Sequence, residues 1–242
     1  MHTETLQAFV LSTLDYGDND RIVTLFSLEH GRLKAFARSA RTSRKRFGAA
    51  LEPFARIDAQ IRVKEGLSGL KQADIVSVYP AIRGDLACIA HALYACELVD
   101  ALTPEGQPLA RLFRLLTTYL DRLEHRAVDE GERRFFEINL LNILGYRPSL
   151  EHCSRCQAPF DTSGGRLQPD GEPLCSRCTS SGPPVSGATL TTLAACLTTG
   201  SFDRIPLKGG ILDQAACLLD SAIAAHAGRR LKSLDFLRQT SP

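Results

Sequence analysis

Before Pro80 two stretches of this 242-residue chain carry apolar residues at every second position, and beyond it apolar residues recur at every third or fourth. The stretch 32–38 alternates Leu33, Ala35 and Ala37 with Arg32, Lys34, Phe36 and Arg38. The stretch 56–64 alternates Ile57, Ala59, Ile61 and Val63 with Arg56, Asp58, Gln60, Arg62 and Lys64. Side chains of a strand point to opposite faces in turn, so each stretch predicts a half-buried strand with a basic outer face. Weaker strand candidates at 6–13, 21–28 and 70–79 are separated by YGDND, EHG and EGLSG. Five short strands between such turns predict a small sandwich or barrel over residues 1–80.

After Pro80 the spacing predicts helices over 85–102, over 109–123 and over ERRFFEINLLNIL, the last ended by Gly145 and Pro148. Asp129, with Glu132 three residues on, forms a capping box for that helix. Two more helices, near 187–198 and 210–227, precede a basic tail, GRRLKSLDFLRQ. Between them, residues 149–186 are rich in Ser, Gly, Pro and Cys and show little period. The expected fold is α+β: a β domain at 1–80, then a helical domain at 81–242 with an insertion at about 149–186.

That insertion holds Cys153-Ser-Arg-Cys156, eighteen further residues, and Cys175-Ser-Arg-Cys178. Two such pairs at this separation match a four-cysteine zinc site, in which four thiolates meet the tetrahedral preference of Zn²⁺. Four protein ligands leave no position for water, so one structural rather than catalytic ion per chain is expected. Arg155 and Arg177 stand close enough in sequence to offset the thiolate charge. Unliganded thiols or a redox switch are the competing readings, and His152 is a substitute ligand only in principle. Cys88, Cys96, Cys196 and Cys217 lie in helical stretches and are expected to be small core residues.

Net charge is only +2, so affinity for a polyanion has to come from local clustering. Between Arg32 and Lys64 the cations are Arg32, Lys34, Arg38, Arg41, Arg44, Lys45, Arg46, Arg56, Arg62 and Lys64, against Glu52 and Asp58. Phe36 shares a strand face with Lys34 and Arg38, and Phe47 and Tyr16 fall in expected loops. Cations that meet phosphates and rings that stack on bases are what binding of single-stranded nucleic acid requires. No base-reading helix is evident here, so sequence specificity should be weak. The plainer alternative is a solvated face, with Phe36 packed under the helical domain.

Catalytic patterns are missing: the six histidines form no metal-binding pair, and no nucleophile elbow, phosphate loop or two-metal carboxylate motif occurs. The reading is therefore not an enzyme. An acidic N-terminus and the lack of a membrane-length apolar run point to the cytoplasm and to no membrane partner. A reducing compartment also makes eight cysteines more consistent with metal than with disulfides.

The stretches VLSTLDYGDNDRIVTLFSLEHGRLKAFARSAR, SRKRFGAALEPF, FFEINLLNILGYRPSLEHCSRC and RRLKSLDFL together resemble the RecO family of bacterial recombination mediators. The resemblance runs in order over nearly the whole chain. It implies an N-terminal OB-fold barrel, a helical domain and a zinc site. It also implies a DNA-binding mediator of DNA repair and recombination. Such a protein binds single- and double-stranded DNA and anneals complementary strands. With RecR it promotes RecA loading on strands coated by single-strand DNA-binding protein. Carried over, the metal ligands are Cys153, Cys156, Cys175 and Cys178. The DNA contacts are Arg38, Arg41, Arg44, Lys45 and Arg46, with Lys34 and Phe36 beside them. One departure is PDGEPL before the second cysteine pair, where the family often has a Gly-Gly turn. An apolar groove rimmed by Arg133, Arg134, Arg229 and Arg230 is the expected seat for the acidic, Phe-ended tail of single-strand DNA-binding protein. The alternative function is a zinc-stabilised adaptor that binds an acidic protein or RNA without annealing.

Overall fold

The computed structural model describes residues 3–240. Five strands, β1 (Glu4–Tyr16), β2 (Asp20–Ser27), β3 (Gly31–Ala37), β4 (Arg56–Arg62) and β5 (Leu67–Ser77), close into a barrel in the order β1-β2-β3-β5-β4. The β3–β5 pair is parallel and all other neighbours are antiparallel. This is the OB-like barrel that the resemblance implied. Alternation sets its inside: Leu33, Ala35 and Ala37 on β3 and Ile57, Ala59 and Ile61 on β4 are buried in one cluster, with Val63 packed against it. Small inward residues such as Ala8, Ala35, Ala59 and Ala73 leave room for Phe47 and Leu51, which enter the same cluster from the β3–β4 connection.

Part of the outer wall is covered by helices α1 (Pro80–Arg83), α2 (Leu86–Leu102) and α3 (Ala110–His125). Phe113 of α3 lies 5.0 Å from Phe9 and 6.1 Å from Phe26, ring centre to ring centre. Arg32 donates to the Thr103 carbonyl at 2.9 Å and pairs with Asp100 at 3.5 Å. Beside it Gly31 has φ +65, and a Cβ there would sit 1.8 Å from the Gln107 carbonyl oxygen, so only glycine permits this approach. Helix α2 is apolar around most of its circumference, as a helix enclosed on several sides must be. Its buried His91 meets the Tyr119 hydroxyl of α3 at 2.9 Å through Nδ1.

Further along come α4 (Glu130–Leu144), β6 (Gly165–Leu167), β7 (Pro173–Leu174), β8 (Pro184–Val185), α5 (Gly187–Thr199), α6 (Gly209–Ala227) and α7 (Lys232–Thr240). Asp129 caps α4 as expected, accepting from the Glu132 N–H at 3.2 Å, and Gly145 ends it in the left-handed conformation. The insertion, expected to be aperiodic, contains the three short strands in the order β7-β6-β8. Among the described residues no helix is long and apolar enough to cross a membrane.

By compactness the chain forms two units: one runs to Ala127 and resumes at Leu231, and the other is Val128–Arg230. The first holds the barrel, α1, α2, α3 and α7. Glu97 on α2 fixes α7 by accepting from the backbone N–H groups of Lys232 (3.2 Å) and Ser233 (2.7 Å). The second holds α4, α5, α6 and the small sheet. There Glu137, fully buried on α4, is met by Arg133 at 3.0 Å and Arg134 at 2.8 Å, and Arg134 reaches Asp220 on α6 at 2.5 Å.

Candidate nucleic-acid interface and metal centre

The cations occupy the first half of the connection between β3 and β4, and that connection is tied down. The Asp20 carboxylate accepts from the Ser39 N–H at 2.7 Å. The Asn19 carbonyl accepts from the Arg41 N–H at 3.0 Å, and the Asp18 carbonyl from the Arg41 guanidinium at 3.1 Å. The YGDND turn therefore holds the basic loop as well as turning the β1–β2 hairpin. Arg46 folds back to donate to the Arg38 carbonyl (2.9 Å) and the Ser43 hydroxyl (2.8 Å), with its guanidinium 5.0 Å from the centre of the Phe47 ring. Arg41 and Arg44 line a groove of about 510 Å³ with Arg21, Ala40, Gly48, Ala49 and Glu52.

On the outer barrel face the strand register brings Leu14, Ile22, Phe36, Gly69 and Arg62 into one row across β1, β2, β3, β5 and β4. Tyr16 meets Phe36 edge-on, ring centres 6.0 Å apart at 83°. Gly69 places no side chain between Phe36 and Arg62 in that row. Leu14 is 64% and Tyr16 56% exposed. Lys34, Arg38, Arg44 and Lys45 are exposed and make no side-chain hydrogen bond or ion pair among the described residues. The arrangement offers rings for base stacking beside unpaired cations for phosphates.

In the insertion the Sγ atoms of Cys153, Cys156, Cys175 and Cys178 all lie within 4.8 Å of one another. The Cys156 and Cys175 sulfurs are 3.6 Å apart. Sulfurs at about 2.3 Å from a tetrahedral ion stand about 3.8 Å from each other, so the cluster fits such an ion. Each pair is set by a tight turn: the Cys153 carbonyl accepts from the Gln157 N–H and the Cys175 carbonyl from the Cys178 N–H, both at 2.9 Å. Burial opposes ionisation of Cys153, but donors from the Cys156, Cys175 and Arg155 backbone outweigh it and bring the thiol down to about 6. Cys178 is pushed up to about 12 by its hydrogen bond with Cys156, then by burial and by the other two sulfurs. The Cys153 and Cys178 thiols are thus moved in opposite directions, and a divalent cation would replace the protons of the cluster. Arg177 hydrogen-bonds Cys175 and is held more firmly protonated by that bond and by the sulfur charge. Arg155 instead donates to the Cys178 carbonyl at 2.7 Å. His152 is not part of the cluster.

Two family models match the chain in succession: Recombination protein O N terminal over residues 1–79, and Recombination protein O C terminal over residues 83–235. The protein named DNA repair protein RecO from Pelobacter propionicus is 65% identical over 100% of this chain and 98% of its own length. Its namesake from Geobacter sulfurreducens is 51% identical over the whole of both chains, and that from Anaeromyxobacter dehalogenans 38% over 100% of this chain and 98% of its own. The chain belongs to the RecO family.

In this RecO-family chain the structure sorts the expected cations. Lys34, Arg38, Arg44 and Lys45 are free to meet a ligand, whereas Arg46 is spent on the loop and Arg32 on α2. Three expectations are corrected. Phe47, expected as a stacking ring, is 2% exposed because the barrel's small interior residues leave it a socket. Cys217, expected in the core, is exposed. Arg133 and Arg134 cannot rim a groove, since Glu130, Glu137 and Asp220 hold both side chains in the interior. Residues not singled out from the sequence are Leu14, Ile22 and Gly69, which reach the interface only through cross-strand register. The departure at PDGEPL is also explained: Gly171, φ +80, makes the β6–β7 turn, and a Cβ there would lie 2.6 Å from the Ala222 nitrogen.

Proposed function

We propose that this RecO-family chain is a non-enzymatic, cytoplasmic mediator of DNA repair and recombination. It binds single- and double-stranded DNA on the outer face of the barrel and anneals complementary strands. With RecR it promotes RecA loading on strands coated by single-strand DNA-binding protein, whose acidic tail it engages. The single observation that carries the reading is the juxtaposition of four unpaired cations, Lys34, Arg38, Arg44 and Lys45, with the Tyr16–Phe36 ring pair. The mechanism is electrostatic. Cations neutralise two backbones and reduce their repulsion, while base edges stay free to find complements. The four cysteines hold one structural Zn²⁺ that orders the insertion and takes no part in chemistry.

The test is fluorescence anisotropy of a labelled oligonucleotide across a salt series, for the wild type and for a variant with Ala at Lys34, Arg38, Arg44 and Lys45. Each lost phosphate contact should flatten the log–log slope by about 0.7 for single-stranded DNA. Superimposable curves would transfer the basic loop to a protein partner and sink the annealing mechanism.

A further inference from the structure

The exposed rings outside the barrel include a second pair of a different kind. Tyr146, just past the end of α4, and His226, in the last turn of α6, stack face to face with centres 4.4 Å apart and planes 12° apart. Both residues are exposed, Tyr146 at 36%. Both are held by helix ends. The Tyr146 N–H donates to the Leu141 carbonyl at 2.8 Å, Gly145 makes the left-handed turn before it, and Gly228 closes α6 two residues after His226. The two helices are pinned to each other by the part-buried Arg134–Asp220 pair. The stack is thus rigid before any ligand arrives, so ordering it costs little. Exposed cations flank it in sequence: Arg147 follows Tyr146, and Arg229 and Arg230 follow the α6 cap.

We infer that the Tyr146–His226 stack is a second contact for single-stranded nucleic acid, carried by the Val128–Arg230 unit and independent of the barrel face. An outer ring face accepts one unpaired base, and the exposed Arg147 beside Tyr146 takes an adjoining phosphate. A duplex keeps its base faces covered, so the platform selects single strands and reads no sequence. A chain that anneals has use for a place to hold each of two strands.

The experiment is photocrosslinking of the full-length protein to an oligonucleotide carrying 5-iododeoxyuridine, with adducts located by peptide mass spectrometry. Adducts are expected on Tyr146 or His226, competed by unlabelled single strand but not by duplex. They should vanish in the Tyr146→Ala, His226→Ala double variant while adducts on barrel peptides persist. Affinity for the single strand held there should fall about tenfold on loss of one stacked base. Adducts confined to barrel peptides would overturn the inference and leave the barrel reading standing. Adducts on Tyr146 or His226 without any on the barrel would do the reverse, and a protein that crosslinks nowhere would remove both.

Discussion

The basic connection of the barrel and the cysteine-rich insertion are both long irregular stretches, and they are ordered by opposite means. The connection sends Ala40, Phe47, Ala50 and Leu51 into the barrel core and leaves its cations outside. The insertion buries only a few apolar side chains, among them Leu150, Leu167, Leu174 and Val185, and gathers four sulfurs instead. A stretch that can borrow a neighbour's core needs no ion. One that cannot supply enough apolar surface needs a crosslink, which four sulfurs can make by holding a metal ion.

The contrast is broken most directly by removing any metal that the four sulfurs hold. Metal binding contributes about 10–16 kcal/mol in isolated zinc peptides, so a chelator, or Cys175→Ser, should unfold the insertion. Amide exchange followed by mass spectrometry should then show protection lost over 149–186 and kept over the barrel strands. Uniform protection with and without metal would mean that packing alone holds the insertion. The reciprocal change is Phe47→Ala, which should cost about 3–5 kcal/mol in denaturant unfolding and leave metal content unchanged. A loss under 1 kcal/mol would show that the loop is held by its hydrogen bonds to Asp18, Asn19 and Asp20 rather than by its plug.

A third kind of order sharpens the comparison. Glu137→Ala leaves Arg133 and Arg134 without their buried carboxylate and should destabilise the second unit by about 3–5 kcal/mol, read as a lower midpoint of its unfolding. The smallest expected effect on folding is that of Ala at Lys34, Arg38, Arg44 and Lys45. These exposed, unpartnered side chains should change stability by no more than about 0.5 kcal/mol even as DNA affinity falls. A large loss of stability there would mean that the cations support the loop and do not merely decorate it.

Strands β3 and β4 were legible because each has one wet and one dry face. β1 was less so: Phe9 packs against Phe113 while Leu6, Ala8 and Val10 face the barrel, so both of its faces are apolar and the alternation is lost. The metal ligands could be read because their spacing is local, whereas the destination of Phe47 is set by alanines on other strands. The burial of Arg133 and Arg134 has a sign in the sequence. Glu137 lies four and three residues beyond them, the spacing of paired charges on one helix face. In the sequence helix α7 resembles a basic tail because what starts it is Glu97, far back on α2.

That last contact gives the chain a schedule. Helix α7 completes the unit that begins at the barrel, yet it is translated only after the whole of Val128–Arg230. A nascent chain therefore waits with the α7-binding surface of α2 uncovered until residues 231–240 leave the ribosome. A premature stop just before Leu231 would leave the first unit unfinished, an incomplete product that chaperones and proteases are equipped to recognise.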